Sequence, residues 1–174
     1  AIELLNKAIR YGQGNNRNDL LFETWDKTCH YYRTIALHYI RRLNNRKLYV
    51  EYELKNFKEI ESFYGKKSLE YCKATTDIAD IISVYSHSAD LTMMYDSISV
   101  KAHLDFYGSE SSKHVQSVLN QMGHAKMYHR IDKFWEGANK LESNIYNYCD
   151  SIQCQYFNLL GQVYSMQEDS ERAI

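Results

Sequence analysis

From about Leu20 to Met166 apolar residues recur every third or fourth position, and no proline interrupts them in 174 residues. Trp25, Cys29, Tyr32, Ala36, Tyr39, Leu43, Val50, Leu54, Phe57, Ile60 and Tyr64 form one such run. Ile131, Phe134, Ala138, Leu141, Ile145, Cys149, Ile152, Tyr156, Leu159, Val163 and Met166 form another. Alternating steps of three and four place these side chains on one stripe of a helix, the seam of a coiled coil or long-helix bundle. Without proline the chain lacks its strongest helix breaker. The pattern therefore predicts an all-α, elongated fold, which suits a scaffold better than a compact enzyme.

The glycines divide the pattern. Gly12-Gln-Gly14 and the asparagines after it mark a loop, so residues 1–18 read as a short amphipathic N-terminal helix and loop. Asn18 or Asp19 can cap a first long helix running to Tyr64, where Gly65 supplies a C-cap. At about 46 residues this helix would be roughly 70 Å long. A second helix starts near Ser68, carries Ile78, Ile82, Tyr85 and Ala89, and is kinked at Gly108-Ser109. Asn120 and Gly123 mark the next turn, and a third helix runs from about Ala125 past Met166. Short turns between long helices require antiparallel packing, so residues 19–174 read as one antiparallel domain of three long helices. A thin rod of this kind exposes apolar surface along its length and is expected to dimerise. The 16 tyrosines suit half-buried seams, with an apolar ring and a polar tip.

The formal net charge of -1 gives no global attraction to nucleic acid. Its distribution is uneven. Lys27, Arg33, Arg41, Arg42, Arg46 and Lys47 lie between Asp26 and Glu51 with no acidic residue among them. From Asp77 to Glu110 the balance is acidic, and from Lys113 to Lys133 it is basic again. Two clusters are candidate membrane-binding surfaces: Arg41, Arg42, Arg46 and Lys47, and a tip formed by Lys113, Lys126, Arg130 and Lys133. Cations beside an anionic leaflet contribute on the order of 1 kcal/mol each. His114, His124 and His129 would add charge to the tip below about pH 6.5. The competing reading pairs the basic stretch of the first helix with the acidic stretch of the second.

Cys29, Cys72, Cys149 and Cys154 include no Cys-x-x-Cys pair, and three of them sit in or beside the seams. Reduced thiols in an intracellular compartment are expected. No stretch approaches the ~20 apolar residues of a membrane span. No catalytic, metal or cofactor-binding constellation stands out: His124 and His129 are five apart, and Gly12-Gln-Gly14 lacks a phosphate-loop context. The expectation is a non-enzyme without cofactors.

Several strings resemble the ciliary BAR-domain-containing protein family: Glu59-Ile-Glu-Ser-Phe63, Ile78-Ala-Asp80, Tyr107-Gly108, and Leu141-Glu-Ser-Asn-Ile-Tyr-Asn-Tyr148. The resemblance covers roughly Thr24 to Met166. It implies a BAR-like three-helix domain, a homodimer or a heterodimer with a related BAR-like chain, and a basic face that docks on curved anionic membrane. It further implies a peripheral membrane protein of the cytoplasm or ciliary base, with the mitochondrion as the alternative. The chain departs from the family pattern in a short distal arm after Gly108, which weakens the expectation of strong membrane bending. Two alternatives share the helical character. One is a structural subunit of a large complex, contacting other protein subunits and no lipid. The other is a tetratricopeptide-like adaptor, to which Phe157, Leu160, Gly161, Tyr164 and Ala173 correspond in spacing. The middle of the chain shows no period of about 34 residues that would extend that correspondence.

Overall fold

The computed structural model describes residues 21–172 together with Glu3 and Lys7, with side chains described over 28–168 and at those two positions. Apart from Glu3 and Lys7, the expected N-terminal helix and loop over 1–18 lie outside the described residues. Among the described residues seven α-helices follow one another: α1 (Leu21–Leu43), α2 (Arg46–Tyr64), α3 (Leu69–Tyr85), α4 (Ala89–Tyr107), α5 (Ser112–Met127), α6 (Ile131–Glu142) and α7 (Asp150–Arg172). A 3-10 turn over Ile145–Asn147 precedes α7. The all-α expectation holds among the described residues. The chain divides into two compact units, Ala1–His87 and Ser88–Ile174.

The expected long rods are broken. The helix expected over 19–64 is α1 and α2, reversed at Asn44-Asn45. The second is α3, α4 and most of α5, interrupted at Ser86–Ser88 and, where a kink was expected, at Gly108. The third contains the end of α5, then α6, the 3-10 turn and α7. The longest described helices have 23 residues, about 35 Å. Gly123, expected in a turn, lies inside α5; the turn falls at Tyr128–Arg130 instead.

Backbone geometry explains each reversal. All five turns from α1 to α6 contain a residue of positive φ: Asn44 (47°), Gly65 (75°), His87 (52°), Gly108 (83°) and His129 (55°). Four of them are followed by a side-chain cap that starts the next helix. Asn45 Oδ1 accepts from Leu48 N at 3.1 Å, and Ser68 Oγ from Tyr71 N at 3.1 Å. Ser88 Oγ accepts from Leu91 N at 3.4 Å, and Ser111 Oγ from Lys113 N at 3.2 Å. Each cap satisfies a backbone donor that the helix start leaves open.

These turns recur at a fixed interval. Asn44, His87 and His129 are 43 and 42 residues apart, and Gly65 and Gly108 are 43 apart. The string Phe-Tyr-Gly-x-x-Ser occurs at Phe63–Ser68 and again at Phe106–Ser111. Helices α2 and α4 therefore begin and end at equivalent positions, and α3 and α5 begin at equivalent positions. The period is about 43 residues, longer than the spacing of about 34 sought in the sequence.

Within the first unit α1 packs on α2 and α2 on α3. Short connections between packed neighbours make these pairs antiparallel. The core joins Ile35 and Ala36 to Val50, Phe57, Cys72, Ile78 and Ile82. Tyrosines line its edges as expected: Tyr49 meets Tyr85 edge-on at 4.8 Å, and Tyr39 lies 5.4 Å from Tyr52. In the second unit α5 is the central helix, packed on α4, α6 and α7. Leu119, Met122 and Phe134 are fully buried there, with Val163 from α7. Gly137 of α6 lets that helix approach α5, because a methyl group at this position would lie 2.7 Å from Met122 Cγ.

Two glycines can thus be separated by mechanism. Gly65 has φ 75° and ψ 165°, a region open in practice only to glycine, and a methyl group there meets nothing within 4 Å. Gly65→Ala should cost about 1–3 kcal/mol through the backbone alone. Gly137→Ala should cost about 1–3 kcal/mol through overpacking. Urea denaturation of double mutants with Met122→Ala distinguishes them: the losses at 65 and 122 add, whereas those at 137 and 122 fall short of their sum.

Candidate interaction surface

The first basic cluster survives as one surface. Arg41 and Arg42 occupy the last turn of α1, where cations oppose the negative helix end. Arg46 and Lys47 open α2, and the two-residue reversal brings all four to the same end of the hairpin. All four are exposed. The first turn of α2 holds no acidic residue, so two cations stand where the helix dipole disfavours them. Arg46 Nη1 lies 3.4 Å from His87 Nε2. A shallow hollow of about 360 Å³ adjoins the cluster, lined by Thr34, Leu37, His38, Arg41 and Arg42.

The second cluster does not assemble. Lys113 opens α5 and Lys126 ends it, about 20 Å apart along the helix. Lys126 donates to Gln162 of α7, and Arg130 pairs with Asp90 of α4. Lys133 and Lys140 each lie 2.9 Å from Glu136, whose carboxyl those two hydrogen bonds pull down to about 2. Lys126 and Arg130 tie helices together, and Lys133 sits in a local pair on α6. Nor do the three histidines gather at one tip. Burial pushes the His114 ring below its usual range. His124 Nδ1 donates to Asp96, 3.0 Å from both carboxylate oxygens, and the Asp96 side chain is 3% exposed. His129 forms the turn itself.

The cysteines also differ from expectation. None of the four forms a disulfide, but Cys72 alone is buried, while Cys149 and Cys154 are exposed. Cys149 falls in phase with the seam, yet it sits in the bend before α7, where its carbonyl accepts from Ile152 N. No three His, Cys, Asp or Glu side chains converge as metal ligands among the described residues. No helix among them is long and apolar enough to cross a membrane.

One polar cleft went unnoticed in the sequence. Glu53 and Asn56 stand one turn apart on α2, 4% and 6% exposed, and line a cavity of about 20 Å³. Arg33 from α1 and Asp77 from α3 also line it; their side chains are each 54% exposed and lie 3.4 Å apart. Phe57, Ile60, Ile78 and Ile81 supply apolar walls. Glu53 accepts a hydrogen bond from Asn56, yet Glu53 Oε1 and Asn56 Oδ1 have no partner among the described residues. Burial is the main cause that raises the Glu53 carboxyl above its usual range; Asp77 adds to it, while Arg33 and Asn56 oppose it. Burial and the Glu53 charge push Tyr49 up to about 12. The sequence held a signal: Glu53 falls three residues after Val50 and four before Phe57, in phase with the buried stripe.

No family model matches the chain. No curated protein matches it. Among solved structures it is similar to the crystal structure of BtubC (BKLC) from P. vanneervenii, with a TM-score of 0.67 and 16% sequence identity. The match covers 98% of this chain and 66% of that one, so the chain spans just under two thirds of that protein's length. At this identity the likeness concerns the fold.

The buried acid gives a pH signature. A folded-state pKa above the unfolded value means that stability falls as pH rises from the unfolded to the folded pKa. Glu53→Gln removes that loss. Its melting temperature should exceed wild type at pH 7, and the difference should vanish near pH 4, where the carboxyl is protonated in both states.

Proposed function

We propose that this chain is a non-catalytic helical-repeat adaptor that binds a segment of another protein. The recurrence of turn and cap residues at about 43 residues carries the reading. Periods between 20 and 50 residues belong to arrays of stacked supersecondary units, whose exposed helix faces commonly bind protein segments. The likeness of fold to BtubC (BKLC) supports the architecture and not a partner.

The first unit's basic end offers the docking surface. Arg41, Arg42, Arg46 and Lys47 are exposed and adjoin a hollow that includes Leu37. Such a surface complements an acidic segment carrying an apolar anchor. The second unit, by itself, exposes Leu91, Met94, Leu104 and Phe106 on α4, apolar surface suited to protein contact. A membrane-docking scaffold of the BAR type would use the same four cations. It loses support from the broken long helices and from Lys126, Arg130 and Lys133, which are held in contacts within the chain.

Selection of a displayed library of random peptides against the purified protein tests the proposal. Enriched peptides should be acidic with an apolar residue, and Arg41→Glu, Arg42→Glu and Arg46→Glu together should weaken their binding by about tenfold or more at low salt. If no peptide is enriched while anionic liposomes sediment the protein, and the triple reversal abolishes sedimentation, the lipid-facing reading replaces this one.

A further inference from the structure

The two units treat an equivalent buried acid differently. Asp96 lies 43 residues after Glu53, at the same position of α4 as Glu53 holds in α2. Both carboxylates are buried, 2% and 4% exposed. In the second unit His124 of α5 answers Asp96 with a hydrogen bond at 3.0 Å. The position equivalent to His124 in the first unit, 43 residues earlier, is Ile81. Its side chain lines the cleft but supplies no donor. Glu53 Oε1 and Asn56 Oδ1 are left as unsatisfied acceptors in a place where the second unit carries its own donor.

The cleft's chemistry selects what can supply that donor. Its polar lining consists of two carboxylates, one amide and one guanidinium, a surplus of one negative charge. An anion is excluded. The space of about 20 Å³ admits one water-sized group, which an ammonium matches and a planar guanidinium exceeds. Water would satisfy the two oxygens but bring no positive charge to a lining whose carboxylates outnumber its guanidinium by one. A divalent cation demands more oxygen ligands than this lining presents. Ile60, Phe57 and Ile81 form apolar walls beside the acceptors, suited to a methylene stem. Arg33 and Asp77, half exposed at the rim, place the cleft within reach of solvent.

We propose that this cleft binds a primary ammonium group, donating to Glu53 Oε1 and Asn56 Oδ1, with its alkyl stem against Ile60 and Ile81. The ammonium is that of a lysine in the bound protein segment. This source rests on the adaptor reading; the ammonium site does not.

The test is NMR of the whole chain titrated with n-butylammonium chloride and, separately, with n-butanol. Butylammonium should shift the Asn56 side-chain amide and the Ile60 and Ile81 methyl groups saturably, and butanol should not. Glu53→Gln should weaken butylammonium by about tenfold or more, as expected for loss of a charged hydrogen bond, without lowering the melting temperature. Asn56→Ala should weaken it as a second, independent variant. Equal response to the alcohol, or no saturable shift, overturns the proposal and leaves a hydrated polar cleft. Replacing lysine by norleucine in a selected peptide should cost a similar factor. If it costs nothing while butylammonium still binds, the ammonium comes from a free amine. If selection yields no peptide at all, the adaptor reading fails while the butylammonium result stands.

Discussion

Chain reversal at residues of positive φ governs the structure. A helix with this seam would continue unless something turned it back, and no proline does so. Asn44, Gly65, His87, Gly108 and His129 each put one residue into the left half of conformational space, and the next helix restarts within a few residues. Glycine takes that conformation freely. For asparagine and histidine it costs roughly 1 kcal/mol, which at Asn44 and His129 the packing of the two flanking helices offsets. Four of these turns close with an Asn or Ser cap. Turn and cap together convert one long apolar stripe into hairpins that bury it against themselves.

The same repetition makes the differences between the units informative. Equivalent helices hold Glu53 and Asp96, and equivalent partners hold Ile81 and His124. A buried carboxylate is tolerated where a hydrogen-bonded donor meets it and costs stability where none does. Asp96 therefore serves to join α4 to α5. Glu53 costs stability in the unbound chain, which is the usual mark of a group kept for something other than folding.

Much of this was legible in the sequence, and the part that was not has a physical cause. The seam from Phe134 to Val163 predicted burial well: Phe134, Ala138, Leu141, Ile145, Ile152, Tyr156, Leu159 and Val163 are all buried. Gly65 ends a helix and Ser68 starts the next as expected, while Gly108, expected to kink a helix, ends one and Ser111 caps the next. Three breaks were hidden because the three-and-four spacing passes through them in phase. Ile82, Tyr85 and Ala89 keep that spacing across the helix break at His87. A tight hairpin preserves the phase of its stripe, so periodicity reports which residues are buried but not where the chain turns. The signal that does report it is local: Asn-Asn at 44, Ser-His-Ser at 86, and the repeated Phe-Tyr-Gly-x-x-Ser. The second cluster was misplaced because a turn at Asn120–Gly123 would have folded Lys113 back beside Lys126, Arg130 and Lys133, whereas the continuous α5 holds Lys113 and Lys126 about 20 Å apart.

The central claim is that the apolar stripe folds back on itself between α1 and α2. A distance between spin labels on non-natural side chains at exposed positions 30 and 58 tests it most directly. Packed antiparallel helices place those positions within about 20 Å of each other, labels included. One continuous helix would hold them roughly 40 Å apart, and a distribution centred there would contradict the account.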